Sequence, residues 1–252
     1  MMKHLSRTAY WETEKAFQDY TRPPELMGGE KLAFAEVLGN DLTGKTVLDL
    51  GCGGGRTSGF LRDMGGEVTG LDISRRLIEA ARQTYPDIRF QVGDAANLPY
   101  PDSGFDCVLF SFNGLDLLYP EEMRTRCIGE VRRVMRPGGI FIVSSHNLSA
   151  MVFGWHKFMR PRKLLFRAKH IIQGNIFRKG CYVVEPDDFN MSIYYTKPDA
   201  FRSNTEASRF KCLGIFPNDP VLVWAQQTMR TNILTRICDP WPYYAFQKLP
   251  VN

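Results

Sequence analysis

Short apolar runs alternate with longer amphipathic stretches through most of the chain, and that alternation predicts its architecture. Val47, Leu48 and Leu50 are too few for a helix and suit a buried strand. Val68 to Leu71, Ile88 to Val92, Phe105 to Phe110 and Ile140 to Ser144 repeat the signature. Helical patterns fill the intervals. One opens with Ser58, Phe60 and Leu61, and a second carries Leu77, Ile78, Ala80 and Ala81 behind a Ser74 cap. A third, Glu121 to Met135, places Met123, Cys127, Val131 and Val134 on one face before Arg136-Pro137-Gly138-Gly139 ends it. Residues 1 to 44 read as irregular helix. Ala9, Tyr10, Phe17 and Tyr20 share a face, Pro23-Pro24 stop it, and a second helix spans Glu30 to Leu38.

Beyond Phe189 the pattern returns. Ser192 to Thr196 reads as extended, Pro198 opens a helix through Phe201 to Phe210, and Cys212 to Phe216 forms a strand. Val221 to Cys238 is a second insertion, and Trp241 to Lys248 is a last strand, antiparallel to the one before.

The most informative stretch is Lys45 to Leu61, KTVLDLGCGGGRTSGFL. A strand runs straight into Gly51, Gly53, Gly54 and Gly55, and a helix starts at once. Glycines let a backbone approach a bound molecule, and a helix N-terminus offers free N–H groups. The dinucleotide fingerprint G-x-G-x-x-G fails, because its sixth position is Arg56 or Ser58. The P-loop fails too, since no Lys-Ser or Lys-Thr follows the glycines at the required offset. What remains is D-x-G-x-G-x-G with Asp49 inside the strand. A carboxylate there repels a pyrophosphate but holds an ammonium group, directly or through water. Asp72 ends the second strand 17 residues after Gly55. That is near the ~20 expected of an acid that takes ribose hydroxyls. A carboxylate accepts from both neighbouring hydroxyls at once.

The D-L-G-C-G-G-G turn, Asp72, Asp94 after the third strand and the R-P-G-G turn fall in order. Together they resemble the class I methyltransferases that use S-adenosylmethionine, in their small-molecule type. The resemblance covers residues 30 to 147 well and 189 to 248 more loosely. It implies an α/β, doubly wound, seven-stranded sheet, parallel except for an antiparallel last strand, with an inserted, mainly helical lid. The expected organisation is residues 1–147 as N-terminal helices and cofactor core, 148–188 as the basic insertion, and 189–252 as completion of the sheet. It also implies a cofactor site of Asp49, Gly51, Cys52, Gly53, Asp72, Ile73, Asp94, Ala95, Ser111 and Phe112. Asp94 would accept from the adenine amine, with the ring between Ile73 and Ala95. Ser111 and Phe112 would flank the methionine portion, and Asn113 would point to the acceptor. An N-terminal segment of this family often folds over the cofactor, which makes Tyr10, Trp11 and Tyr20 candidates near the methyl group. His146, at the end of the fifth strand, stands where a general base would reach an acceptor proton. Tyr20, Trp155, Tyr194 and Tyr195 are the candidate acceptor contacts. No N-P-P-Y follows the fourth strand, which argues against adenine or glutamine as acceptor. The activity implied is methyl transfer to an O, N or C atom of a small acceptor. A cofactor-binding scaffold without catalysis and a tRNA or rRNA methyltransferase are the alternatives. A nicotinamide oxidoreductase is disfavoured by the missing third glycine.

Composition adds three limits. No apolar run approaches the ~20 residues of a membrane span, and MMKHLSRTAYWETEKAF lacks the apolar core of a secretory signal. Six cysteines have no C-x-x-C pair, and four histidines are dispersed, so reduced thiols, a cytoplasmic location and no metal site are expected. Charge is unevenly spread. Leu148 to Val184 contains eight Lys or Arg and no acid, and removing those eight from the formal +5 leaves −3 for everything else. An acidic small-molecule acceptor is the first partner this suggests, an anionic membrane surface the second, and RNA phosphates the weakest.

Overall fold

The computed structural model describes residues 7–21, 25–150, 161–184, 192–219, 221–223 and 233–250. Five parallel strands come first: β1 (Thr46–Leu50), β2 (Glu67–Asp72), β3 (Arg89–Val92), β4 (Phe105–Phe110) and β5 (Met135–Ser144). Two later strands complete the sheet, β9 (Phe210–Phe216) and β10 (Tyr243–Lys248). The order is β3-β2-β1-β4-β5-β10-β9, and β10 runs antiparallel to both its neighbours. The seven-stranded sheet with one antiparallel last strand is therefore present. Consecutive residues of a strand face opposite sides, and the two faces bury separate cores. Leu48, Leu50, Val108, Phe110, Phe141 and Val143 pack on Cys127, Val131 and Val134 of α6 (Glu121–Val134). Val47, Cys107, Leu109 and Ile142 pack with Leu61 of α4 (Arg56–Asp63) and with Ile78 and Ala81 of α5 (Arg75–Thr84).

Boundaries differ from the sequence pattern in small, explicable ways. Helix α3 (Gly28–Ala33) continues as a wider π turn over Phe34–Leu38, and Gly39 ends it at φ +74°. Strand β5 takes in the R-P-G-G turn as an irregularity, since Met135 pairs with Phe105 and pairing resumes at Ile140. Ahead of the sheet lie α1 (Arg7–Trp11) and α2 (Glu14–Tyr20).

A second sheet was not foreseen. Strands β6 (His146–Asn147), β7 (Gly180–Val184) and β8 (Ser192–Thr196) assemble in the order β6-β8-β7. The basic insertion thus holds a helix, α7 (Pro161–Ile172), but closes with a strand that pairs with β8. Tyr182, Val183 and Val184 have the strand preference that a reading dominated by the helix passed over. The remaining helices are α8 (Pro198–Ala207) and α9 (Ile233–Cys238). Among the described residues no helix is long and apolar enough to cross a membrane.

Candidate active site

Four parallel strands end at one edge of the sheet, and the loops leaving β1 to β4 surround a cleft of ≈ 670 Å³, its open mouth included. The glycine turn forms its floor. Gly51 N–H and Cys52 N–H both donate to the Leu71 carbonyl, at 2.7 and 3.1 Å, fixing the turn to the neighbouring strand. Gly51 has φ +66°, and a Cβ there would stand 2.7 Å from the Phe110 ring. Any other residue would be strained and crowded. Gly54 lies so close to α2 that a Cβ would meet the Tyr20 carbonyl at 2.6 Å; its N–H donates to that oxygen at 3.2 Å.

Among the described residues two carboxylates line the cleft, and no Lys or Arg does. Asp72 is held by backbone alone: Oδ2 accepts from Gly53 N–H and Oδ1 from Ser74 N–H, each at 2.9 Å. Burial pushes its pKa up against the opposing pull of those N–H groups. One lone-pair direction on each oxygen is left for a ligand. Asp94 accepts the Ala96 N–H at 2.9 Å across a tight turn. Ile73 and Ala95, next to the two acids, also face the cleft. The remaining walls are apolar, from Leu71, Leu77, Leu117 and Leu118.

An aromatic chain covers one side. Tyr10, Trp11, Tyr20 and Phe112 meet edge to face in sequence, with centroids 5.0, 5.2 and 5.5 Å apart. Polar clasps hold this N-terminal arm on α5. Ser74 Oγ donates to the Trp11 carbonyl at 3.1 Å, and Arg75 N–H donates to Glu12 at 2.9 Å. Arg76 pairs with Glu14 at 2.5 Å and lies over the Phe17 ring.

Residues 47–139 match the family model described as a methyltransferase domain, the same span that supplies the cleft's floor and both acids. The resemblance to class I methyltransferases therefore holds over that span. A probable S-adenosylmethionine-dependent methyltransferase of Mycolicibacterium smegmatis is 34% identical over 110 residues, 44% of this chain and 41% of the relative. A demethylmenaquinone methyltransferase of Beutenbergia cavernae is 39% identical over 101 residues, 40% of each. The match spans less than half the length of either relative. Among solved structures, the CcbJ methyltransferase of Streptomyces caelestis shares the fold with a TM-score of 0.65, at 16% identity, over 98% of this chain and 100% of that one. The cleft fits S-adenosylmethionine, because among the described residues its charged lining is wholly acidic and holds no cation to meet a phosphate.

The predicted residues divide into three groups around the domain's cleft. Gly51, Asp72, Ile73, Asp94, Ala95, Ser111, Phe112 and Tyr20 line it. Asp49, Cys52 and Gly53 stand behind the floor. Asp49, 1% exposed, accepts on Oδ2 from the Thr57 and Ser58 hydroxyls at 2.7 and 2.6 Å, and burial pushes its pKa up to about 6. Cys52 is buried, which raises its thiol well above the usual range. The third group lies beyond the lining. Asn113 is left-handed at φ +59°, donates its N–H to Ser144 Oγ at 2.7 Å, and buries an Oδ1 that no described residue meets. His146 gives its backbone N–H and Nδ1 to Asp116 Oδ2, at 2.5 and 3.1 Å, and packs 4.9 Å from Tyr195. Tyr194 donates to Glu121 at 3.0 Å. Trp155 lies outside the described residues. No group of three or more potential metal ligands occurs among the described residues.

Two features of the domain had no distinct signal in the sequence. Glu30, fully buried, holds the Arg56 guanidinium at 2.7 Å on both oxygens and also takes the Met27 N–H, with Ser111 and Tyr243 hydroxyls beside it. This cluster ties α3 to the start of α4 and to the end of β4. Arg124 reaches Asp116 at 3.1 Å and lies over the Tyr194 ring at 3.9 Å. Only its place on the buried side of an amphipathic helix marked Arg124 as unusual.

Proposed function

We propose that the chain transfers a methyl group from S-adenosylmethionine to a small acceptor that enters beside the N-terminal arm. One observation carries this reading: among the described residues the only charged side chains lining the cleft are Asp72 and Asp94. A cationic, phosphate-free nucleoside suits such a lining, whereas a dinucleotide would bring a pyrophosphate against two acids.

When bound, the cofactor supplies a sulfonium methyl group open to in-line displacement. The chain's residues do the rest. Asp72, already oriented by two N–H groups, takes the ribose hydroxyls on its remaining lone pairs. Asp94 accepts from the adenine amine, and Ile73 and Ala95 flank the ring. Gly51, Ser111 and Phe112 hold the methionine end. Trp11 and Tyr20 exclude water and set the acceptor's approach, and positioning supplies much of the rate in such a displacement. His146 acts where the acceptor must lose a proton. With Nδ1 on Asp116, its Nε2 is the nitrogen left to take that proton. The step serves an acceptor reaching past Leu117, which lines the cleft and also packs with Tyr195. The relative named for demethylmenaquinone supports a small-molecule acceptor.

Calorimetry with S-adenosylmethionine and its demethylated product tests the cofactor half. Both are expected to bind, and Asp72→Ala to weaken them by about 100-fold, the loss of two hydrogen bonds to a charged group. No heat with either compound would sink the reading. Incubation with labelled methyl donor and a cell extract tests the acceptor half. Label should enter the small-molecule fraction, and label confined to RNA would overturn the acceptor class.

A further inference from the structure

Helix α7 turns large apolar side chains outward. Leu165, Ala168 and Ile172 recur at helical spacing on one stripe, with Lys169 at its edge, and all four are exposed. Leu165 is 73% exposed and Ile172 85%, and Phe177 in the following turn is 80% exposed. The opposite side holds a polar residue instead. His170 is 7% exposed, and its Nδ1 meets the Asn175 amide at 2.6 Å. A helix that docked on its own domain would show the reverse order, apolar inside and polar outside. Large aliphatic side chains turned to water while His170 is buried opposite them mark a surface built for another phase.

Charge says which phase. The apolar stripe is edged by Lys169, and exposed Arg178 and Lys179 follow Phe177 directly. The whole segment from Leu148 to Val184 carries eight cations and no acid. A second copy of this chain is a poor occupant, because face-to-face pairing would oppose two wholly basic segments. RNA is a poorer occupant, since among the described residues Phe177 is the one exposed ring beside aliphatic Leu165 and Ile172, which give a base nothing to stack on. A bilayer with anionic headgroups satisfies both features at once, taking aliphatic side chains at the acyl boundary and cations among the headgroups.

We infer that α7 and the turn after it, through Leu165, Ile172 and Phe177 with Lys169, Arg178 and Lys179, dock the protein on an anionic lipid surface. The inference stands apart from the methyl-transfer reading, because vesicle binding is measured without cofactor or acceptor.

Co-sedimentation of the full chain with vesicles of phosphatidylcholine mixed with phosphatidylglycerol, beside vesicles of phosphatidylcholine alone, tests it. Binding is expected to the anionic vesicles, to weaken with salt, and to be slight on the neutral ones. The variant L165S/I172S/F177S should lose at least about ten-fold in partition, since each apolar group removed from the acyl boundary is costly. The variant K169Q/R178Q/K179Q should lose roughly five-fold per cation and most of the salt dependence. Both variants alter exposed positions, and an unchanged melting temperature will show that they fold. Should the apolar variant unfold, the cation variant decides alone. Equal binding to both vesicle types, no binding to either, or variants that bind like the parent would overturn the inference. So would a dimer in sedimentation that the apolar variant abolishes while vesicle binding is absent.

Discussion

The two sides of the cleft are built on different principles. On the strand-end side the two acids are held by nearby backbone: Asp72 by Gly53 and Ser74, Asp94 by Ala96. On the far side, polar groups hold one another across long stretches of chain. Asp116 takes Arg124, Ser145 and His146, and Tyr194 reaches Glu121, 73 residues away. Backbone anchoring leaves lone pairs free and fixes geometry with little side-chain entropy. A side-chain network fixes geometry only while every member is present. The first design suits a constant ligand, and the second can be rewired to suit one acceptor.

The largest expected effect tests that contrast directly. Asp116→Ala leaves Arg124 buried without its anion, and breaking such a pair costs about 3–5 kcal/mol of folding stability. Affinity of the folded protein for S-adenosylhomocysteine should stay within about three-fold, since the proposed cofactor anchors Asp72 and Asp94 are separate from this network. Chemical denaturation and calorimetry on the same variant read the two quantities. A cofactor affinity that falls with the stability would mean the two sides act as one unit.

Asp49 sharpens the comparison from the other side. It shares strand parity with Val47, so it faces α4, where two hydroxyls meet it without neutralising it. Its pKa is raised from 3.8 to about 6. The stability tied to its protonated form is full below about pH 4 and lost as pH rises through 6, about 3 kcal/mol in all. Asp49→Asn removes that titration. The stability advantage of the variant over the parent should grow between pH 4 and 6 and level off above. A flat difference across that range would show that Asp49 does not titrate there. Next in size, Asp72→Ala should cost about 2.7 kcal/mol of cofactor binding, the hundred-fold loss already given, with acceptor-side stability unaffected.

The same contrast explains what could be read from the sequence. Asp72 and Asp94 are held by residues within a few positions, or by the glycine turn, so spacing located Asp72 and the family resemblance located Asp94. The strands followed from short apolar runs between amphipathic stretches, and the antiparallel last strand was what the family resemblance implied. Glu30 was not legible, because its partners Arg56, Ser111 and Tyr243 lie 26, 81 and 213 residues away. Nor was the three-stranded sheet, since its edge strand β6 has only two residues and a helix-dominated insertion stands between it and β7. His146 was noticed as a type of residue in a suggestive place. Its binding to Asp116 through both backbone and ring is information only folding supplies.

Phe112 is where the two designs meet, and it gives the smallest effect and the finest test. Its backbone is left-handed at φ +55°, like Asn113 after it, in a conformation that bulky side chains rarely adopt. The ring is 45% exposed, so little burial offsets the strain, and its main contact is the edge of Tyr20. Non-glycine residues in such conformations cost of order 1–3 kcal/mol and cluster at functional sites. Phe112→Gly removes the strain and adds chain entropy to the unfolded state, so the expected net is a gain of up to about 1 kcal/mol. If the ring serves the ligand rather than the fold, the same variant should bind S-adenosylhomocysteine more weakly while melting at a higher temperature. Stability and affinity moving in opposite directions would mark Phe112 as retained for the cleft at the expense of the fold. If the melting temperature falls instead, the ring's contact with Tyr20 outweighs the strain and the N-terminal arm is held by packing as much as by its polar clasps.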